Sequence, residues 1–181
     1  MPRLFVAIDF PEAVRDRLAA LPRGVRGARL LPPEQYHLTL RFIGEVEDSM
    51  FIDIREALSN IAAAPFDLRL SGVGHFPPSG QPKVLWTGVA ESEPLLQLQG
   101  RIESCLRDLS LTPDGQNYTP HVTLARLKYG KINRVRDFLV EHNDFTTDDI
   151  PVTAFHLYSS TLGEKGAVHV LEASYPLTAK S

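Results

Sequence analysis

A single cysteine, Cys105, leaves this chain no internal disulfide framework. It also has no apolar run near the ~18 residues of a membrane span. LFVAI, residues 4 to 8, stops at Asp9, too short for a secretory segment, and predicts an uncleaved cytoplasmic protein with no membrane contact. Positive charge is not in excess: 19 Lys and Arg face 22 Asp and Glu, a net charge of −3 that argues against coating nucleic acid by bulk electrostatics. No HExxH and no clustered Cys/His/Asp spacing appears, which disfavours a zinc hydrolase, since such a site wants a third ligand. What is present is ordinary for a globular protein: 43% hydrophobic and 23% charged residues over 181 positions. Nothing demands more than a monomer built as one domain over 1–181. One local departure is RLKYGKINRVR, residues 126 to 136, with five basic residues and no acid, where a small anionic group could dock or a helix face could meet solvent.

Periodicity predicts an alternation of strands and helices. LFVAIDF (4 to 10) reads as a strand, and Val14, Leu18 and Leu21 as the stripe of a helix. YHLTLRFIG is a strand ending at Gly44, followed by a helix capped by Ser49 with Phe51, Ile54, Leu58 and Ile61 on one face. FDLRL alternates as a half-buried strand before a Gly/Pro loop from Gly72 to Pro82, and KVLWTGVA forms the next strand. A long helix is expected from Ser92 to Leu109, with Cys105 beside its apolar stripe as a structural thiol. HVTLARL, a short helix with Val135, Phe138 and Leu139, and strands around VTAFHLY and AVHVLEA close the chain. Several strands join directly, so the expectation is an α+β fold of mostly antiparallel sheet.

Two tetrads carry the chemistry. HLTL at 37 to 40 and HVTL at 121 to 124 lie 84 residues apart, each in a strand followed by a helix, which suggests an internal pseudo-repeat. Side chains alternate along a strand, so His37 and Thr39 share one face, about 7 Å apart, while Leu38 and Leu40 anchor the other. His121 and Thr123 repeat the arrangement. If the halves pack about an approximate two-fold, two imidazoles and two hydroxyls line one cleft. Imidazoles with an ordinary pKa near ~6.5 suit a reaction that removes one proton and delivers another. Threonine hydroxyls can hold oxygens on which charge gathers. A phosphoryl centre fits this set, with attacking and leaving oxygens in line between the two rings.

These motifs, with RLFVAIDFP, HLTLRFIGEV, FPPSGQPKVLWTGV, YTPHVTLARLK and FHLYSSTLGEKG around them, resemble the 2H phosphoesterase superfamily and its RNA 2′,3′-cyclic phosphodiesterase (2′-5′ RNA ligase-like) branch. The resemblance implies two pseudo-symmetric lobes with outer helices and a cleft between them. It also implies metal- and cofactor-independent opening of a 2′,3′-cyclic phosphate, on RNA 3′ ends or nucleotides, to a 2′-phosphomonoester. By that analogy His37 is the proton donor, His121 the proton acceptor, and Arg126 a phosphate contact. Regular alternation sends Arg126 to the face opposite His121, so the role requires a bulge or the strand's end. Arg41 has the same parity as His37 and Thr39 and is a second phosphate candidate.

Tyr36, Phe42 and Tyr118 flank the tetrads and are candidates for base stacking, with Trp86 and Phe76 nearby, against the alternative of core packing. His75, His142, His156 and His169 lack a threonine partner and are read as structural or surface residues, His156 being the least settled. Other readings of the same residues are a 2′-5′ ligase that joins the cyclic phosphate to a 5′-hydroxyl, and a module that binds RNA ends without turnover.

Overall fold

In the computed structural model the described residues are 1–113, 117–128, 132–164 and 166–178. The first half runs β1 (Arg3–Asp9), α1 (Glu12–Ala20), β2 (Ala28–Leu30), β3 (His37–Glu45), α2 (Asp48–Leu58), β4 (Phe66–Leu68) and β5 (Leu70–Phe76). The second runs β6 (Val84–Val89), α3 (Glu93–Asp108), β7 (His121–Leu127), α4 (Ile132–His142), β8 (Ile150–Val152), β9 (Ala154–Gly163) and β10 (Gly166–Pro176). Every strand pair is antiparallel.

The elements follow from local chemistry. In α3, Ser92 Oγ accepts the Leu95 amide at 3.3 Å, Pro94 occupies the first turn where its missing N–H costs nothing, and Leu95, Leu98, Ile102 and Leu106 are buried. Burying each of those side chains stabilises the fold by about 1.5–3 kcal/mol. Two expectations shift. The helix α2 begins at Asp48 after Glu47, so Ser49 lies inside its first turn rather than capping it. The predicted FDLRL strand is two strands, and β5 continues through Gly72, whose φ of +74° suits glycine, and Gly74 into the stretch expected to be loop.

The two halves exchange strands. One sheet has the order β10-β9-β1-β3 and the other β2-β7-β6-β5. Thus β9 and β10 from the second half complete the sheet of β1 and β3, and β2 and β5 from the first half complete that of β6 and β7. The short strands β4 and β8 pair with each other, Asp67 opposite Pro151. One hydrophobic cluster draws on both halves, including Leu4, Leu18, Leu38 and Leu40 from the first and Leu98, Ile102, Val122 and Leu124 from the second. The result is the two-lobed α+β arrangement that the pattern predicted, with β3 and β7, the carriers of the tetrads, brought together where the lobes meet.

Candidate active site

Backbone pairing decides which side chains see the cleft. Along β3 the partners on β1 are Asp9 for His37, Ala7 for Thr39 and Phe5 for Phe42, with register shifts that pass over Leu40 and Ile43. Phe5 and Ala7 face away from the main core, so His37, Thr39 and Phe42 share the open face. Arg41 sits opposite Val6, a residue of the main core. The bulge therefore reverses the parity on which Arg41 was expected beside His37. Its side chain is buried, donates from Nε to Glu103 at 2.7 Å, and also bonds the carbonyls of Phe42 and Thr112. A guanidinium so occupied ties β3 to α3, although the residue also contributes to the lining of the cleft.

On β7 a bulge of the same kind has the opposite consequence. His121 pairs with Gly88, Thr123 with Trp86 and Arg126 with Val84, the register slipping at Leu124. Val84, Trp86 and Gly88 alternate along β6, so Arg126 lies on the face of His121 and Thr123, as its predicted role required. It is exposed, and among the described residues it has no carboxylate partner. Five positions after each histidine the two lobes thus present Phe42, 65% exposed, and Arg126.

A cleft of about 900 Å³ receives both motifs: His37, Thr39, His121 and Thr123 line it, with Phe42, Phe76 and Arg126. Arg3 and Arg29, not singled out from the sequence, line it too, Arg29 lying opposite Arg126 across the β2–β7 pair. Of the basic run beginning at Arg126, Tyr129, Gly130 and Lys131 lie outside the described residues. Among the described residues no three His, Cys, Asp or Glu side chains form a group suited to a metal ion.

The two flanking tyrosines are engaged between the lobes, Tyr118 while also lining the cleft. Tyr36 is wholly buried and its hydroxyl donates to the Leu124 carbonyl on β7 at 3.4 Å. Tyr118 donates to the Thr39 carbonyl on β3 at 2.9 Å. Each tyrosine thus bolts its own motif to the strand bearing the other motif. Burial pushes both phenols up, so they remain neutral donors. Phe42 alone of the three proposed stackers presents a largely open ring.

The two histidines have unlike surroundings. His121 Nδ1–H donates to the Thr119 carbonyl at 2.8 Å, a bond that fixes the tautomer in which Nε2 is the acceptor nitrogen whenever the ring is neutral. Phe76 meets that ring edge-on at 4.9 Å and Trp86 lies at 6.4 Å. His37 is held beside a carboxylate: Nε2 is 3.4 Å from Asp9 Oδ1, and its side chain is only 7% exposed. Burial lowers its pKa to about 4, Asp9 pulling the other way. Tyr158 lies 4.6 Å from the His37 ring and His169 5.5 Å.

The companions of Asp9 went unread in the sequence. His156 Nε2 approaches Asp9 Oδ2 at 3.4 Å, and the Tyr158 hydroxyl donates to both carboxylate oxygens at 2.7 and 2.8 Å. His169 lines the cleft. His156 and His169 are therefore neither remote nor plain surface residues. The available signal was alternation in LFVAIDF and FHLYSS, which sets Asp9, His156 and Tyr158 on the non-core face of adjoining strands.

Comparison with known proteins agrees with this geometry. A family model described as LigT like Phosphoesterase matches residues 8–86 and again 88–169, one match for each half. RNA 2′,3′-cyclic phosphodiesterases of Archaeoglobus fulgidus and Thermus thermophilus are 33% and 35% identical to the chain. The first alignment covers 92% of this chain and 96% of the relative, the second 97% and 90%. The crystal structure of a Thermus thermophilus protein, TT0787, superposes with a TM-score of 0.83 at 30% identity, covering 99% of this chain and 100% of that one. Escherichia coli LigT complexed with 3′-AMP shares the fold at a TM-score of 0.78 and 23% identity, covering 98% and 99%. Matched His-x-Thr strands facing one cleft, a duplicated match and full-length relatives together establish that this chain belongs to the LigT-like branch of the 2H phosphoesterases.

Proposed function

We propose that this chain is a metal-independent RNA 2′,3′-cyclic phosphodiesterase that opens the cyclic phosphate of an RNA 3′ end to a 2′-phosphomonoester. The observation that carries the proposal is the facing pair of motifs with unequal partners. His121, oriented by a neutral carbonyl that takes its Nδ1–H and keeps Nε2 for the substrate, suits the base. His37, beside the Asp9 carboxylate, suits the acid, because a nearby negative charge favours imidazolium. Burial by itself leaves His37 mostly neutral at pH 7, and an anionic phosphate adds a second negative charge that favours its protonation.

His121 takes a proton from water as the water oxygen bonds to phosphorus. The P–O3′ bond breaks on the opposite side, and the His37 proton goes to the leaving O3′. Thr39, Thr123 and Arg126 hold the non-bridging oxygens, a charge-assisted set that takes the place of a metal. Phe42 offers its open ring to the terminal base. Residues 1–181 act as one two-lobed domain and as a monomer in the cytoplasm, where RNA ends are met.

The test is incubation of an oligonucleotide ended by a 2′,3′-cyclic phosphate in EDTA, with the product isomer read by phosphorus NMR. The 2′-phosphate is expected, and His37→Ala or His121→Ala should lower turnover by roughly 10²–10⁴ with the fold intact. A 3′-phosphate, or activity lost in EDTA and restored by zinc, overturns the proposal. Binding retained by both variants with no product from any of the proteins would make the chain an RNA-end-binding module instead.

A further inference from the structure

Among the described residues, only one of the two matched histidines stands beside a carboxylate. Asp9 ends β1 directly opposite His37, and its position is over-determined: the Tyr158 hydroxyl donates to both oxygens, at 2.7 and 2.8 Å. His156, on the far side of the same carboxylate, is itself anchored by Nδ1 at 2.8 Å from the Ser174 hydroxyl. Two imidazoles thus flank one pinned carboxylate, each at 3.4 Å. The ring of His37 is packed between Tyr158 at 4.6 Å and His169 at 5.5 Å, with Phe5 at 6.0 Å, so it has little freedom to turn.

We propose that Asp9 is a positioning residue for the proton donor, with Tyr158 fixing the carboxylate and His156 sharing it. This rests on the assignment of His37 as the acid. The carboxylate acts through the imidazole: it orients the ring and favours its imidazolium form, and it takes no proton itself. When P–O3′ breaks, the proton moves from His37 to O3′, and the ring is left neutral beside Asp9.

Charged and titratable groups reach this cluster from each surrounding element. Arg15 comes from α1, His37 from β3, His156 and Tyr158 from β9, and His169 from β10. Arg15, His156 and His169 all disfavour a further positive charge on His37, and Asp9 is the charge that opposes them. Its removal should have a definite sign. With Asp9→Asn, His37 holds its proton less well, so the alkaline limb of the kcat profile, which reports loss of the acid in the substrate complex, moves to lower pH by about one pH unit. His156→Ala removes a competitor for the carboxylate and moves that limb the other way.

The experiment compares wild type, Asp9→Asn, Tyr158→Phe and His37→Ala on two substrates. One is the cyclic phosphate, and the other carries sulfur in place of the bridging 3′ oxygen, whose thiolate departs without a proton. Asp9→Asn should lose about tenfold or more in kcat on the oxygen substrate and little on the sulfur substrate, with KM nearly unchanged. Tyr158→Phe should lose less in the same pattern, and Asp9→Glu should restore part of the rate. Equal losses on both substrates for Asp9→Asn and Tyr158→Phe, or no loss, would overturn the inference. If His37→Ala itself loses equally on both substrates, the acid assignment has failed instead, whatever Asp9 does. Thermal melts of each variant separate these outcomes from unfolding.

Discussion

His37 and His121 stand at equivalent places in a duplicated pattern, yet the charge each can carry differs because their neighbours differ. The low pKa of His37, about 4, also bears on stability. In the unfolded chain the ring titrates near ~6.5. Between those values the unfolded state holds more protons than the folded one, so stability falls as pH falls from about 6.5 towards 4 and is fully present above that window. Urea unfolding across this range should show wild type losing on the order of a few kcal/mol more than His37→Gln does. Parallel pH dependence in the two proteins would mean that the ring is not protonation-averse in the fold. At this scale the tetrads were legible because His-x-Thr alternation is local. The parity argument for Arg41 failed because one bulge reverses it, and no short stretch of sequence announces a bulge. Asp9 and Tyr158 escaped notice, and His156 stayed unsettled, because their meeting depends on which strands pair, a non-local fact.

Between elements, the second motif is supported by an aromatic shelf on β5 and β6. Gly74 pairs with Trp86, and a methyl group added there would lie 2.3 Å from the indole Cζ2. Gly74→Ala should therefore destabilise the protein by about 1–3 kcal/mol through overpacking. It should also lower turnover, since Trp86 and Phe76 flank His121. Gly100 provides the opposite sign: it lies in α3 with nothing within 4 Å of the added carbon. Gly100→Ala should stabilise by up to ~1 kcal/mol and leave activity unchanged. Thermal unfolding and steady-state rates of the two variants check the pair, and like signs would contradict it. Helices and strands were readable from spacing and caps. The path of β5 through Gly72 and Gly74 was not, because glycine reads as loop until a large cross-strand neighbour explains it.

Over the whole molecule, duplication and strand exchange act together. Each sheet takes two strands from each half, and the hydrophobic cluster runs through both. Residues 1–82 and 83–181 produced separately should each lack cooperative unfolding, since each leaves a sheet edge and a core face uncovered. Mixing the two should restore circular dichroism and activity together, whereas a half that folds cooperatively alone would contradict the exchange. The repeat of His-x-Thr pointed to two lobes and a shared cleft, but the crossing of β2, β5, β9 and β10 between the halves left no mark in periodicity. The central claim is that two imidazoles from opposite halves act on one phosphate. Its most direct measurement is a crystal structure with a 2′-phosphorylated nucleotide bound. Phosphorus is predicted to lie between His37 and His121, each ring within ~3 Å of a phosphate oxygen, with Thr39, Thr123 and Arg126 on the remaining oxygens. A phosphate seated on the rim, beyond hydrogen-bond reach of either ring, would contradict it.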